Sequence, residues 1–332
     1  METISHGTIA LQKIVKKHLV SKLRTKLKYA TTLGFILALC AAAFSALPNV
    51  IPKSLMEDNA DGITPHPIML VFVIYVINGL FFTPLAKNTT PVNKIGRKSI
   101  TLLILLGVVE GSGTLLHMMG LKETTALNAS ILGNGEIIFA ILIGITIFKE
   151  RLNKKEMIPF LLIILGTVII PVGSDIHNHG LYFSDFVLGD ALILLAGLFY
   201  SLDTFIAKLI PHSISTKRVV HIMSCSGAVF TLILMLTLHI PFDIDLDQLS
   251  IISVSGFLGI GVTMVFFVMA LRLIGAVRTV LIYSAGTVFS IIYSTTYLSE
   301  TITMLHVFSL LVVIFGLYSL RTRLGKEQAI KN

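Results

Sequence analysis

The chain has no tryptophan, only two cysteines and few charges: Asp, Glu, Lys and Arg make up 13% of its 332 residues. A soluble domain carries roughly 25%. With so few charges, a globule of this length could not clothe its surface. Hydrophobic types reach 54% and mean hydropathy is +0.87, so the bulk of the chain belongs in lipid. Disorder and a collagen-like fibre are excluded by the same composition. Cys40 and Cys225 cannot build a disulfide scaffold; both lie in apolar runs and are expected as buried thiols. Catalytic signatures are missing too. There is no HExxH, GxSxG or GxGxxG, and Gly133-Asn134-Gly135 is too short for a nucleotide loop. The chain is therefore expected to be no enzyme, with no catalytic residue, cofactor or metal site.

Acids are scarcer than bases, 18 against 26, for a net charge of +8. Such an excess can mark a nucleic-acid binder. Here the bases fall between apolar runs, and no zinc-finger or RNA-binding signature accompanies them. Nucleic acid is not an expected partner.

Long apolar runs are what the sequence does have. Crossing the hydrocarbon takes about 20 mainly apolar residues in a helix. Ten runs qualify: 29–47, 67–86, 99–119, 125–148, 157–173, 186–207, 218–240, 249–271, 276–298 and 303–320. The run 157–173 is short and 276–298 is polar at both ends, so these are the marginal spans. None alternates every second residue as a lipid-facing barrel strand would. The first run follows a 28-residue leader and has no convincing cleavage site before Pro48, so it is expected to remain as a span. Within that leader Leu11, Val15, Leu19, Leu23 and Leu27 recur every four residues among seven Lys and Arg. Residues 11–28 therefore predict a basic amphipathic helix lying on anionic membrane lipid, within a cytoplasmic N-terminal segment 1–28. The plainer alternative is a basic tail that only sets topology.

Orientation follows from the bases. With both termini cytoplasmic, 24 of the 26 Lys and Arg fall inside, and only Lys53 and Lys122 fall outside. The outer segments are instead acidic, as at Asp243, Asp245 and Asp247. A multi-pass protein of the cell membrane with an even span count is expected.

The chain also repeats itself at an offset of 150 residues. Without gaps, Met119 meets Met269, Leu121 meets Leu271, Phe139 meets Phe289, Glu150 meets Glu300 and Gly166 meets Gly316. Apolar matches arise easily by chance; paired glutamates just past a helix end do not. The repeat unit holds five spans. Five is odd, so the second copy must be upside down, the arrangement common to alternating-access carriers. The expected fold is an all-α membrane protein of ten transmembrane helices in two inverted five-helix repeats. Its units are 1–28, a first repeat at 29–173, a second at 186–320, and a basic cytoplasmic tail at 321–332.

The stretch Phe148-Lys149-Glu150-Arg151-Leu152 with Gly166, and its counterpart Leu298-Ser299-Glu300-Thr301-Ile302 with Gly316, resemble the drug/metabolite transporter superfamily in its EamA-like branch of ten-helix permeases. That family usually has Gly before the Glu and Leu two residues after it; Lys149, Ser299 and Ile302 depart from the pattern. It often has Pro near the start of the same helix, where Ile137 and Thr287 stand here. The resemblance, over residues 30–320, implies a central cavity lined by the fourth helix, its predecessor and their counterparts. It also implies efflux more often than uptake.

Ionisable groups within lipid are costly and commonly face a cavity or a partner. Glu136 lies near mid-span beside Gly133, Asn134 and Gly135, and is the leading candidate for a proton-coupling or amine-binding carboxylate. Glu110, within Val109-Glu110-Gly111-Ser112-Gly113, is the next; either could instead be pinned structurally. Asp203 lies near the inner end of its span, within reach of Lys208. Asp190 lies near the outer end, where it could simply meet water, as could His117. Tyr75 and Asn78 add polarity to the second span, and Tyr283 and Thr287 supply hydroxyls from the second half. Acids facing a neutral wall suit small zwitterions or cations better than phosphates, since no buried Arg or Lys cluster is present. The expectation is a secondary transporter of a small metabolite, foremost an exporter of amino acids or related zwitterionic or cationic compounds. An uptake carrier of the same fold is the alternative, and a non-transporting membrane protein or channel is a further one. Proton coupling and a homodimer are compatible with this reading.

Overall fold

A computed structural model describes residues 30–56, 64–147, 154–169 and 185–331. The amphipathic leader and Glu150 lie outside the described residues. Among the described residues every regular element is helical. In chain order they are α1 (Ala30–Met56), α2 (Pro67–Lys87), α3 (Arg97–Glu123), α4a (Ala126–Leu132) with α4b (Gly135–Thr146), and α5 (Lys154–Ile164, extended by a π-helical turn Leu165–Ile169). There follow α6 (Asp185–Leu209), α7 (Thr216–Thr237), α8 (Leu246–Ile274), α9a (Ala276–Tyr283) with α9b (Gly286–Tyr297), and α10 (Met304–Lys331). Seven of these, with α4 taken whole, are long and apolar enough to cross a membrane; α5 and α10 contribute shorter apolar helices, Met157–Val168 and Met304–Gly316.

The first helix runs further than its apolar composition predicts. Apart from one turn residue at Ala46 it is helical through Pro48 and Pro52 to Met56. In a bilayer, neighbouring helices re-satisfy the backbone groups that a proline frees. Lys53 therefore sits in a last helical turn and not in a loop.

Polarity is distributed inside out relative to a soluble protein. Leu80, Ile233, Leu236, Val254 and Leu311 are exposed, whereas Asn78, Ser201, Ser224 and Ser294 are completely buried. That distribution suits lipid, where apolar side chains need no cover and polar ones need partners. Small residues bring the helices together. A Cβ added at Gly107 would fall 2.3 Å from the Met223 carbonyl oxygen, so α3 and α7 touch backbone to backbone. Gly120 of α3 and Gly189 of α6 oppose each other in the same way. The expectation for the cysteines is corrected: Cys40 is partly buried and Cys225 is exposed, its sulfur 3.6 Å from His221 Nε2.

The two ends of the bundle are marked by contacts. At one end Lys53 Nζ donates to the Lys122 carbonyl (3.0 Å), joining the last turns of α1 and α3. There too Thr124 donates to Asp190 at the start of α6 (2.9 Å). Asp190 is thus 1% exposed instead of meeting water. At the opposite, basic end, Arg218 donates to the carbonyls of Thr90 and Ala86, and Arg272 to that of Ile214.

Gly166 on α5 and Gly316 on α10 give the clearest sign of internal symmetry. A Cβ on Gly166 would meet Val313 (2.7 Å) and the Ser309 carbonyl oxygen (2.8 Å). A Cβ on Gly316 would meet Ile163 (2.9 Å) and the Pro159 carbonyl oxygen (3.0 Å). Each member of these pairs is 150 residues from its equivalent. The contact is reciprocal, as a two-fold axis requires, and the two helices run antiparallel through it.

The fourth and ninth runs are both broken in the middle. In α4 the bonds Asn134 N–H to Ile131 and Glu136 N–H to Gly133 span three residues, and in α9 so do Ala285 N–H to Ile282 and Thr287 N–H to Ser284. These breaks match at an offset of 151, not 150, because α9a has 8 residues and α4a has 7. The gap-free alignment of the sequence is thereby corrected locally: Thr287 is equivalent to Glu136, not to Ile137.

Candidate functional site

A cavity of about 160 Å³ lies between α1, α3, α4, α6, α8 and α9. Three carboxylates line it, Glu110 from α3, Glu136 from α4b and Asp203 from α6. They are near enough to feel one another's charge. Glu136 occupies the first turn after the α4 break, where Gly197 of α6 packs so tightly that a Cβ would fall 2.8 Å from the Glu136 backbone nitrogen. Thr204, also on α6, donates its hydroxyl to Glu136 Oε1 at 3.2 Å. Asp203 is 4% exposed, and its Oδ1 has no hydrogen-bond partner among the described residues. Instead of reaching for Lys208, which is exposed, it lines the cavity.

Helices α8 and α9 supply neutral groups. Tyr283, Ser284 and Thr287 of α9 line the opposite wall, with Gly259, Ile260 and Thr263 of α8. A π-helical turn at Phe257–Val262 carries the first two of these. Such turns recur where a helix meets a functional site. Phe267 meets the Tyr283 ring nearly edge-on, with centroids 5.1 Å apart.

A polar network closes the cavity toward the Lys53 end. Asn49 Nδ2 donates to Ser290 Oγ (2.9 Å), and Asn49 Oδ1 meets His117 Nε2 (2.7 Å). Ser130 Oγ bonds to Ser290 Oγ. Asn134 Nδ2 donates to Thr287 Oγ1 (2.9 Å), which in turn donates to the Ser130 carbonyl (3.1 Å). Beyond this layer, Glu300 accepts the backbone N–H groups of Ala126 (2.8 Å) and Leu127 (2.9 Å), capping α4a from the other half. His306 meets Asn128 at 3.1 Å. Ser299, just before the capping glutamate, has φ +56°, a left-handed conformation that glycine adopts without strain.

The halves α4a and α9b, at the Lys53 end, therefore pack together, while the equivalent pair at the basic end, α4b and α9a, stands apart. Domains related by a repeat but packed differently are what a two-state carrier would display in one of its states.

The family-model comparison matches residues 32–171 and again 187–322. The chain belongs to the EamA-like transporter family. Its two matches make the internal repeat explicit. With seven long apolar helices, this EamA-like chain is a multi-pass membrane protein. It is 28% identical over 303 residues to an uncharacterized transporter of Methanothermobacter thermautotrophicus, covering 86% of this chain and 85% of that one. An uncharacterized transporter of Haemophilus influenzae is 29% identical over 179 residues, half of this chain and 57% of its own length. One solved crystal structure superposes with a TM-score of 0.58 at 14% identity, over 88% of this chain and 97% of that one, a likeness of fold alone.

Of the residues singled out in the sequence, Glu136, Glu110, Asp203, His117, Tyr283 and Thr287 line this cavity of the EamA-like protein. Two do not. Tyr75 is fully buried, its hydroxyl 3.0 Å from Thr114 Oγ1 and its ring against Gly227. Asn78 is pinned between α2 and α8, donating to the Ile74 and Gly256 carbonyls. Thr114, Tyr200, Thr204 and Asn49 line the cavity without having been singled out. A signal existed for three of them. Glu110, Thr114 and His117 share one helical face, as do Tyr200, Asp203 and Thr204. Asn49 follows Pro48, where the apolar run stops, and carried no such mark.

Proposed function

We propose that this protein is an alternating-access secondary transporter whose cavity is the transport path for a small zwitterionic or cationic metabolite, amino acids and related compounds included. Export is the favoured direction and uptake the alternative. The observation behind the mechanism is the asymmetry between equivalent helix pairs: α4a with α9b closed, α4b with α9a apart. Exchanging the two arrangements closes the basic end and opens the other. The ten helical runs, α5, α9 and α10 among them, would then all cross the membrane as two inverted five-helix repeats. The reciprocal Gly166 and Gly316 contact supports this inversion. The excess of Lys and Arg at the open end supports placing that end, and both termini, in the cytoplasm.

The cavity's composition supports the substrate class. Acids, hydroxyls and amides line it, and no Lys or Arg is among the lining residues that would clamp a phosphate. Glu136 is the proposed coupling carboxylate, able to exchange a proton for substrate.

Paired cysteines at Ala140 and Val280 test the alternation. They lie on the separated halves, so an oxidised bond should form only while the reconstituted protein turns over, and its formation should stop flux. Disulfide geometry needs Cα atoms about 4.4–6.8 Å apart. A pair that never crosslinks under transport conditions would overturn the alternating model.

A further inference from the structure

Asp203 brings a buried acceptor without a partner to the cavity wall. Buried acceptors are normally hydrogen-bonded, and an unpaired one is costly. Asp203 lines a cavity that already holds Glu110 and Glu136, with no Lys or Arg among the lining residues, and its Oδ1 is buried without a hydrogen-bond partner among the described residues. His117 also lines the space, but its Nε2 is engaged by Asn49. We propose that the cavity binds a small organic cation, an amine bearing no carboxylate of its own, anchored on Asp203. This deepens the transport reading and rests on it for the role of the cavity.

Three further observations shape the ligand. First, among the described residues no three His, Cys, Asp or Glu converge closely enough to hold a metal ion. The acids, spread over α3, α4b and α6, match a cation with the dimensions of an organic molecule. Second, Tyr200, Tyr283 and Phe267 offer aromatic surface to the same space, and such faces attract ammonium groups. Third, a volume of about 160 Å³ resembles that of a cavity known to hold benzene, about 150 Å³. It admits a four-carbon diamine or a phenyl-bearing amine.

A carboxylate on the ligand would be opposed. It would enter a space shared by three acids and find only neutral donors, and unpaired like charge in a low-dielectric site is a strong discriminator. The narrowing is thus from zwitterions and cations to cations alone.

Matched ligands differing by one carboxylate test this. Purified full-length protein is titrated with 1,4-diaminobutane against ornithine, and phenethylamine against phenylalanine, by thermal shift and calorimetry. At least one amine should stabilise the protein and bind about tenfold or more tightly than its amino acid. Asp203→Asn should weaken that amine by about tenfold or more while the unliganded protein melts as before. Should that variant not fold, Glu110→Gln is expected to weaken amine binding as well. Equal or tighter binding of the amino acid, or no binding by either member of both pairs, overturns the inference, and flux of another substrate class would then leave the transport reading standing. Amine binding with the stated selectivity but no flux of any class would uphold the site and defeat the transport reading instead.

Discussion

Glu136 and Thr287 are structural equivalents, each the second residue of the helix half that follows a break, and both face the same cavity. One half of the molecule offers a titratable carboxylate where the other offers a hydroxyl. The repeat therefore supplies a symmetric frame for an asymmetric site, with its acids on α3, α4b and α6 and its neutral wall on α8 and α9.

Replacing Glu136 with Gln keeps size and a hydrogen-bond acceptor for Thr204 but removes the exchangeable proton. In proteoliposomes, flux driven by an imposed pH gradient should disappear, while counterflow of labelled substrate at equal pH persists. Wild-type response to the gradient, measured beside a folding check, would transfer the coupling role to Glu110.

Glu300 holds two backbone donors of α4a across the boundary between halves. Hydrogen bonds to charged groups contribute about 1.5–3 kcal/mol, and the partial exposure of Glu300 discounts the pair together to the lower part of that range. Glu300→Ala should lower stability by about 2 kcal/mol and loosen the closed end. A cysteine at Ser130, shielded beneath that cap, should then label faster with an impermeant thiol reagent added at the Lys53 end. Unchanged labelling and melting would show that the cap contributes nothing to closure.

Ser299 carries the positive φ that aims this glutamate. A left-handed conformation costs an L-residue about 1–2 kcal/mol, partly offset by the greater unfolded-state freedom of glycine, about 0.4–1 kcal/mol. Ser299→Gly should raise stability by about 0.5 kcal/mol. The same φ accounts for the preference for glycine before this Glu in the EamA-like pattern. A loss of stability in the variant would count against the backbone explanation.

Gly166→Ala places a methyl group against backbone atoms of α10, which cannot swing aside. Overpacking of this kind costs about 1–3 kcal/mol, more than the helix propensity gained on replacing glycine, about 1 kcal/mol. Thermal melting should fall. Combined with Gly316→Ala, the loss should be less than additive, since one widening of the α5–α10 contact relieves both clashes. Strict additivity would argue against a shared reciprocal contact.

Helix content, lipid as solvent and the internal repeat were legible in the residues, because each depends on composition or spacing along the chain. Depth was legible as well: Glu110, Glu136 and Asp203 were marked by their places within apolar runs. What tertiary structure decided was azimuth, the direction in which each polar group points. A polar side chain in lipid can be satisfied by a neighbouring helix or by a cavity, and its depth does not distinguish them. Asn78 and Tyr75 turned to α8, Thr114 and Gly227, while Tyr200 and Thr204 turned inward beside Asp203. The one-residue shift at the breaks, the capping of α4a by Glu300 and the closed pairing of α4a with α9b were decided in the same way. The capping and the pairing rest on contacts between segments more than 150 residues apart, which only the packed bundle brings together.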